Sequence, residues 1–550
     1  MTTSETPSGE ERPGSGPLHS FRTALGARAA ASPRYQWWVL WVALSGLLAT
    51  NLLFTVFVVA LPQVAHGLKV SEATVTWTVT GPMLAFGILA PLVGKAGDVF
   101  GQRRVFLIGV TAEIGIAALS AAAPNAGVLI LARTLGGAVG ASIGSASMAL
   151  VLSVFHKHDR VKALGFWSLV GAGGPVVGVA VGGPVIQVFG WRWMFVLQMP
   201  LLLIATLLAV AVLPERAAGR REVKRGDVQL DWAGAGSLAL CVGALLFGLN
   251  RGPGWGWTSP VVLVSFVLVP VAAVTFGFVE RRAPDPVFAP HYLRRRNFAF
   301  PIAAQTCANF GYLGAFFLTP LLLEKVYGYA HNQSAVGFLV LPRPIVFSAI
   351  APIAGYVAVR IGERTSAVVG TSAVALSMGA FALAGHSTGL VFVEVALVLS
   401  GVGLGVASPS LSSMVSNEFD LEDLGTASGS QQLMNQVGTV AGIQVMQTVQ
   451  VSADHGRSAG ALLGSFHTAY LVGGAVAVLG VIAASLSRST VRTAEPTLVL
   501  EPVDEAERQP AILVDADVET DATRPDVDGR AAARPVTQLA GSGGEVSPTR

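Results

Sequence analysis

Apolar residues in this chain gather into long runs separated by short polar breaks, and the runs set the expected architecture. A helix needs roughly 20 apolar residues to cross a bilayer. Runs of that length predict fourteen membrane-spanning helices, over 37–61, 76–96, 104–122, 127–150, 163–187, 194–213, 231–250, 260–279, 298–323, 334–359, 366–385, 388–412, 424–447 and 466–487. Residues 1–35 are rich in Ser, Gly, Pro and Arg and read as a disordered leader. Residues 488–550 carry twelve acidic residues between Glu495 and Glu545, with scattered Pro and Gly, and read as a disordered tail.

Composition agrees with lipid as the solvent. Of 550 residues, 52% are hydrophobic and 13% charged, and mean hydropathy is +0.60. Soluble domains carry about 25% charged residues. The net charge of +3 gives no polyelectrolyte signal for nucleic acid. Cys241 and Cys307 both sit in apolar runs and read as small core residues, without a disulfide or a metal site. There is no nucleotide loop, no metal-ligand cluster and no catalytic dyad outside the spans. The expectation is a non-enzyme without a cofactor.

Lys and Arg give the orientation. With fourteen spans, one face collects 22 of them before the tail and the other face five: Lys69, Arg192, Arg251, Lys325 and Arg457. This asymmetry places both termini in the cytoplasm of a multi-pass plasma-membrane protein. An internal repeat is also visible. GKAGDVFGQR at 94–103 matches GYVAVRIGER at 355–364, aligning Gly94 with Gly355, Gly101 with Gly362 and Arg103 with Arg364. Each copy follows the second helix of its half if residues 231–279 are an inserted pair. The expected domains are an N-terminal six-helix bundle over 36–213, a cytoplasmic loop over 214–230, the inserted pair, a basic loop over 280–297 and a C-terminal six-helix bundle over 298–487. Two related halves around a central site near the midplane are a common transporter plan.

The loop Gly94, Asp98, Gly101, Arg103, Arg104 resembles the G-x-x-x-D-x-x-G-x-[RK]-[RK] motif of the major facilitator superfamily. Arg133 with Gly136, Gly137 and Gly140 resembles the family's intramembrane arginine motif. Gly174, Pro175, Gly178, Gly182 and Gly183 resemble the antiporter motif of its exporters. The segment from Gly190 to Phe195, and ERRAPDPVFAPHYLRRRNFA at 280–299, resemble the fourteen-helix drug:proton antiporter branch. The resemblance covers roughly residues 37–487. It implies an all-α fold of two pseudo-symmetric six-helix bundles plus two central helices. It also implies a conformational latch at the first motif and proton-coupled efflux of hydrophobic or amphipathic compounds such as drugs, antibiotics or dyes. One departure stands out. Nine residues before Pro62 of Ala60-Leu61-Pro62, the branch has an aspartate; here the position is Leu53, with Asn51 nearby.

Ionisable groups at bilayer depth are costly and few. Glu113 lies nine residues into the third span, about 13 Å from its cytoplasmic end, and Arg133 lies about six residues into the fourth, about 9 Å from its outer end. Glu113 reads either as a substitute proton carrier paired with Arg133 or as a structural group at a packed helix interface. Glu394, three residues before the position matching Arg133, reads as a cavity acid or as a group snorkelling to the outer interface. Arg343, between Pro342 and Pro344, reads either as a group that satisfies carbonyls freed by the prolines or as a contact to substrate or counter-ion. Gln431 with Asn435, and Gln432 with Gln436, form i,i+4 polar stripes, as do Gln305 and Asn309, with Tyr312 next on that face. These amides and Asn51 are candidates for the wall of a wet cavity, or for plain helix–helix hydrogen bonds. The expected partners are a small-molecule substrate, protons and membrane lipid, with no nucleic acid, and the chain is expected to act as a monomer. The runner-up function is a carrier for a lipid, peptide or metabolite with different or no proton coupling.

Overall fold

The computed structural model describes residues 32, 34–70, 72–75, 77–213, 232–283, 291–329, 333–385, 389–453 and 459–488. The 214–230 loop lies outside these residues, as do almost all of the expected leader and tail and the middle of the basic loop. No strand occurs among the described residues. Apolar sequence favours helix in lipid because every backbone N–H and C=O is satisfied within the segment.

The long helices are α1 (Tyr35–Leu68), α2 (Trp77–Phe100), α3 (Gln102–Ala121), α4 (Ala126–Val154), α5 (Arg160–Phe189) and α6 (Arg192–Val212). The central pair is α7 (Trp232–Trp255) and α8 (Pro260–Glu280). The second half holds α9 (Arg296–Lys325), α10 in two pieces (Gln333–Val340 and Pro342–Ile361), α11 (Glu363–Ala382), α12 (Gly389–Asn417), α13 (Leu424–Ala453) and α14 (Ala459–Leu486). Among the described residues, eleven of these helices are long and apolar enough to cross a membrane. The apolar part of α7 is shorter, Ala233–Leu249, and α13 is diluted by amides, serines and threonines. Leucines and valines on α6 and α8, among them Leu203, Leu207, Val264 and Val267, stand bare on the outer surface. Contiguous apolar surface of that kind suits lipid and not water.

The repeat is physical. Gly101 between α2 and α3 and Gly362 between α10 and α11 both have positive φ, 99° and 90°, a region that a side chain would strain. Arg103 donates to the Val210 carbonyl at the end of α6 (2.9 Å). Arg364 donates to the Ser485 carbonyl near the end of α14 (2.6 Å). A Cβ on Gly137 of α4 would collide with the backbone of Pro82 on α2, and one on Gly401 of α12 with the backbone of Arg343 on α10. Helices α1 to α6 pack with one another, as do α9 to α14. The halves meet where α2 crosses α13 and where α5 crosses α10. Helix α7 lies along the first of these seams, with Leu246 packed among Met83 of α2 and Leu433 and Val440 of α13, and α8 covers α7.

One expectation fails at α10. The first of the two readings of Arg343 had Pro342 and Pro344 freeing carbonyls that it then satisfies. Instead the helix breaks at Leu341 and restarts with Pro342 in its first turn, where the missing N–H has no partner to lose. Arg343 donates to no carbonyl among the described residues.

Candidate functional site

The ends of the helices that carry most of the basic residues form one face, and the halves are tied together there. Asp98, at the end of α2, accepts from the backbone N–H of Gly425 (2.7 Å) and Thr426 (2.7 Å) and from the Thr426 hydroxyl (2.8 Å). These are first-turn groups of α13 in the other half. The carboxylate therefore caps a helix across the interface, satisfying orphan N–H donors at the positive end of its dipole. Besides α13, Asp98 binds the Gln102 amide (2.9 Å), while Arg103 reaches α6 and Arg104 is exposed. Gly94 lets the crossing close, since a Cβ there would run into the Gly425 carbonyl.

A second tie joins α5 to α12. Arg160 Nη1 donates to the Ser416 carbonyl (3.1 Å) and Asn417 Oδ1 (3.2 Å), and Lys157 Nζ donates to the Asn417 carbonyl (3.4 Å). Nearby, Tyr292 donates to Asp423 Oδ2 (3.2 Å). Burial, and then the Asp423 carboxylate, push its phenol up to about 12, so it stays a donor at physiological pH. Deeper in, Ser348 Oγ donates to the Leu169 carbonyl (2.9 Å) and Gln436 Nε2 to the Met83 carbonyl (3.3 Å).

Above this closure a cavity of about 760 Å³ lies between the halves and extends toward the opposite face. Its wall is mostly apolar and aromatic, including Phe86, Trp167, Phe316, Phe317 and Phe347. Asn51, Glu113, Arg133, Gln305, Asn309, Tyr312, Gln432 and Asn435 all line it. Glu113 and Arg133 are 3% and 8% exposed and close enough to attract electrostatically. Glu113 Oε2 has no hydrogen-bond partner, and the small Gly136 leaves room beside Oε1, where a Cβ would stand 3.5 Å away. The amides are both wall and glue: Gln305 donates to Asn309 (3.4 Å), and Asn309 donates to Asn435 on α13 (2.9 Å).

Other candidates lie elsewhere. Gln431 turns away to α12, donating to Ser416 Oγ (3.1 Å) and the Ser412 carbonyl (3.3 Å). Glu394 does not line the cavity, and its Oε1 is buried without a hydrogen bond. Arg343 sits behind the wall, with its guanidinium 4.0 Å from the centre of the Tyr312 ring. In the antiporter motif, Pro175 lines the cavity. Gly174 packs on α1 within its own half, its Cβ position 3.0 Å from Asn51 Cβ. Gly178 and Gly182 are buried on the same helix, and Gly183 and the Leu53 side chain lie outside what the structure describes. The residues missed from sequence are Arg160 and Asn417. Arg160 was counted only as a loop charge, and nothing local marks Asn417 as its partner 257 residues away.

A sequence profile described as Major Facilitator Superfamily matches residues 42–443. The puromycin resistance protein pur8 of Streptomyces alboniger is 31% identical over 455 residues, 80% of this chain and 88% of that protein. The multidrug resistance protein Stp of Mycobacterium tuberculosis is 28% identical over 412 residues, 73% of this chain and 75% of Stp. The tetracenomycin C resistance and export protein of Streptomyces glaucescens is 27% identical over 419 residues, 76% of each chain. Among solved structures, the human organic anion transporter MFSD10 superposes with a TM-score of 0.58 at 16% identity, covering 82% of this chain and all of that one. At that identity the match speaks for the fold alone.

Proposed function

The chain belongs to the major facilitator superfamily, and we propose that it exports hydrophobic or amphipathic compounds across the plasma membrane by alternating access, in exchange for protons. The observation that carries this reading is the cavity between the halves, closed on one face by ties that can be broken one at a time. Alternating access needs two arrangements of packed halves that differ by a few kcal/mol, and helix caps and single hydrogen bonds are of that size. Aromatic rings interleaved with amides suit compounds with one apolar and one polar side. The resistance and export roles of the named relatives point the same way.

With the termini in the cytoplasm, as the Lys and Arg asymmetry implies, the closed face is cytoplasmic and the cavity faces outward. Glu113 is the candidate proton carrier, with Arg133 as the positive charge that tunes it, and Glu394 a second candidate acid. Asn51, Gln305, Asn309, Tyr312, Gln432 and Asn435 are candidate substrate contacts. The chain acts as a monomer in lipid and needs no cofactor. Leu53, standing where the branch has its aspartate, favours a second reading: a carrier for a lipid, peptide or metabolite with different or no proton coupling.

A screen in an efflux-deleted bacterial host separates the two. Expression of the chain is expected to raise tolerance severalfold to at least one antibiotic or dye, with puromycin and rhodamine 6G in the panel. A protonophore removes the gain. Unchanged tolerance across the panel contradicts export, and tolerance that persists with the protonophore contradicts proton coupling.

A further inference from the structure

Arg343 is fully buried; none of its three guanidinium nitrogens makes a well-aligned hydrogen bond among the described residues, and the neutral Tyr312 hydroxyl is the one side-chain acceptor in reach. Its neighbours are aromatic. The guanidinium carbon lies 4.0 Å from the centre of the Tyr312 ring and 6.0 Å from that of Phe316, with the Tyr470 phenol also close. Contact with ring faces offsets only part of the cost of stripping water from a guanidinium.

Ten residues after Arg103 stands Glu113, and ten after Arg364 stands Val374. Fifteen residues before Val210 stands Phe195, and fifteen before Ser485 stands Tyr470. The two arginines are not repeat mates, Arg133 standing on α4 and Arg343 on α10, yet each lies near an aromatic ring of the last helix of its half: Arg133 at 5.8 Å from the Phe195 centroid, and Arg343 near Tyr470. The first half supplies Glu113 as counter-charge. At the corresponding place the second half has Val374, packed in one cluster with Tyr312 and Phe347. Among the described residues no carboxylate acts on Arg343, which leaves the second pocket open to a negative charge brought by a ligand.

The route to it is short. Tyr312 and Phe316, the rings under the guanidinium, line the cavity, as do Leu341, Pro344 and Phe347 around Arg343 on α10. The break in α10 at Leu341 lies two residues before Arg343, which gives this stretch freedom that an unbroken helix lacks. We infer that Arg343 is the receptor for an anionic group, a carboxylate or phenolate, on the transported compound, reached when the Tyr312 ring swings aside. The inference rests on the export reading and names its preferred substrates as amphiphilic anions.

Fluorescein and rhodamine 6G share a xanthene skeleton and carry opposite charge, so they separate charge from shape. Their binding to the purified full-length chain in detergent is read by fluorescence anisotropy. The wild type is expected to bind fluorescein more tightly than rhodamine 6G. Arg343→Gln is expected to weaken fluorescein by about ten- to a hundredfold, the worth of a charge-assisted hydrogen bond, and to leave rhodamine 6G unchanged. Val374→Glu, which supplies an internal counter-charge, is expected to remove the fluorescein preference in the same way. Replacing chloride with gluconate is expected to change nothing.

The inference is overturned by a wild type without fluorescein preference, or by Arg343→Gln binding fluorescein as the wild type does. Chloride that displaces the dye overturns it too, because the site is then one for inorganic anions. If Arg343→Gln loses both dyes, Val374→Glu decides: a preference kept there overturns the inference, and a preference lost with rhodamine 6G binding intact supports it. Efflux from cells is a separate readout. Export of rhodamine 6G without fluorescein preference removes this inference and leaves export standing. Selective fluorescein binding without any efflux does the reverse.

Discussion

Glu113→Gln is expected to reduce accumulation driven by a pH gradient to the level of vesicles lacking the protein, while exchange of substrate across the membrane without a gradient continues. The side chain is 3% exposed and lines the cavity, so it meets whatever the cavity admits. Its Oε2 has no hydrogen-bond partner, which leaves a lone pair ready for a proton. Glutamine keeps the shape and the hydrogen-bonding length but cannot take up and release a proton. Arg133 would then stand beside a neutral amide, so substrate affinity changes far less than coupling. The check is transport of one compound by one variant in two modes, gradient-driven uptake and equilibrium exchange. Undiminished uptake in Glu113→Gln removes Glu113 as the carrier and moves attention to Glu394. Loss of both modes makes Glu113 a structural group, which was the bland reading from sequence.

Asp98→Asn is expected to loosen the closed face and lower efflux strongly, with the protein still folded. The carboxylate accepts three hydrogen bonds from α13 at 2.7–2.8 Å. An asparagine turns one oxygen into an NH₂ group aimed at N–H donors. Losing a charged cap and setting donor against donor costs about 1–3 kcal/mol. Between two states of similar free energy that shifts the ratio by about ten- to a hundredfold. The readout is a cysteine at the cavity wall, Ser168→Cys, in a chain with Cys241 and Cys307 replaced by alanine. Labelling by a membrane-impermeant maleimide from outside the cell is expected to be fast with Asp98 and slow with Asn. Equal labelling in both removes the cap as the latch.

The helices were legible because lipid imposes a simple rule, about 20 apolar residues per helix; every predicted span overlaps a helix, although 334–359 falls on two pieces and eleven helices among the described residues are long and apolar enough to cross. Where helices run on, polar residues at the ends find partners the sequence does not announce. The Gln450 amide near the end of α13, for instance, donates to Ser465 Oγ on α14 (3.1 Å). The repeat at Gly94 and Gly355 was legible because a positive-φ turn demands glycine at Gly101 and Gly362.

Side-chain direction was harder to read. Gln431 and Gln432 are adjacent, yet the first turns to Ser416 and the second into the cavity. A rotation of one residue, about 100°, decides between them, and nothing in the local pattern fixes it. Ties across the interface were hidden for another reason. Asp98 with Thr426 and Arg160 with Asn417 are 328 and 257 residues apart, and the acceptors are largely backbone atoms that any sequence supplies. The acid that would replace the one missing at Leu53 was named from its depth in the third span alone. Its position in the cavity wall came from the three-dimensional packing of α3 against α4 and α6.

The most direct measurement uses inverted vesicles from the efflux-deleted host, an imposed pH gradient with the lumen acidic, and a compound returned by the tolerance screen. An exporter that trades substrate for protons fills the lumen with that compound above the outside concentration, and a protonophore empties it again. Uptake that only equilibrates the compound, with or without the gradient, would contradict proton-driven export by this chain.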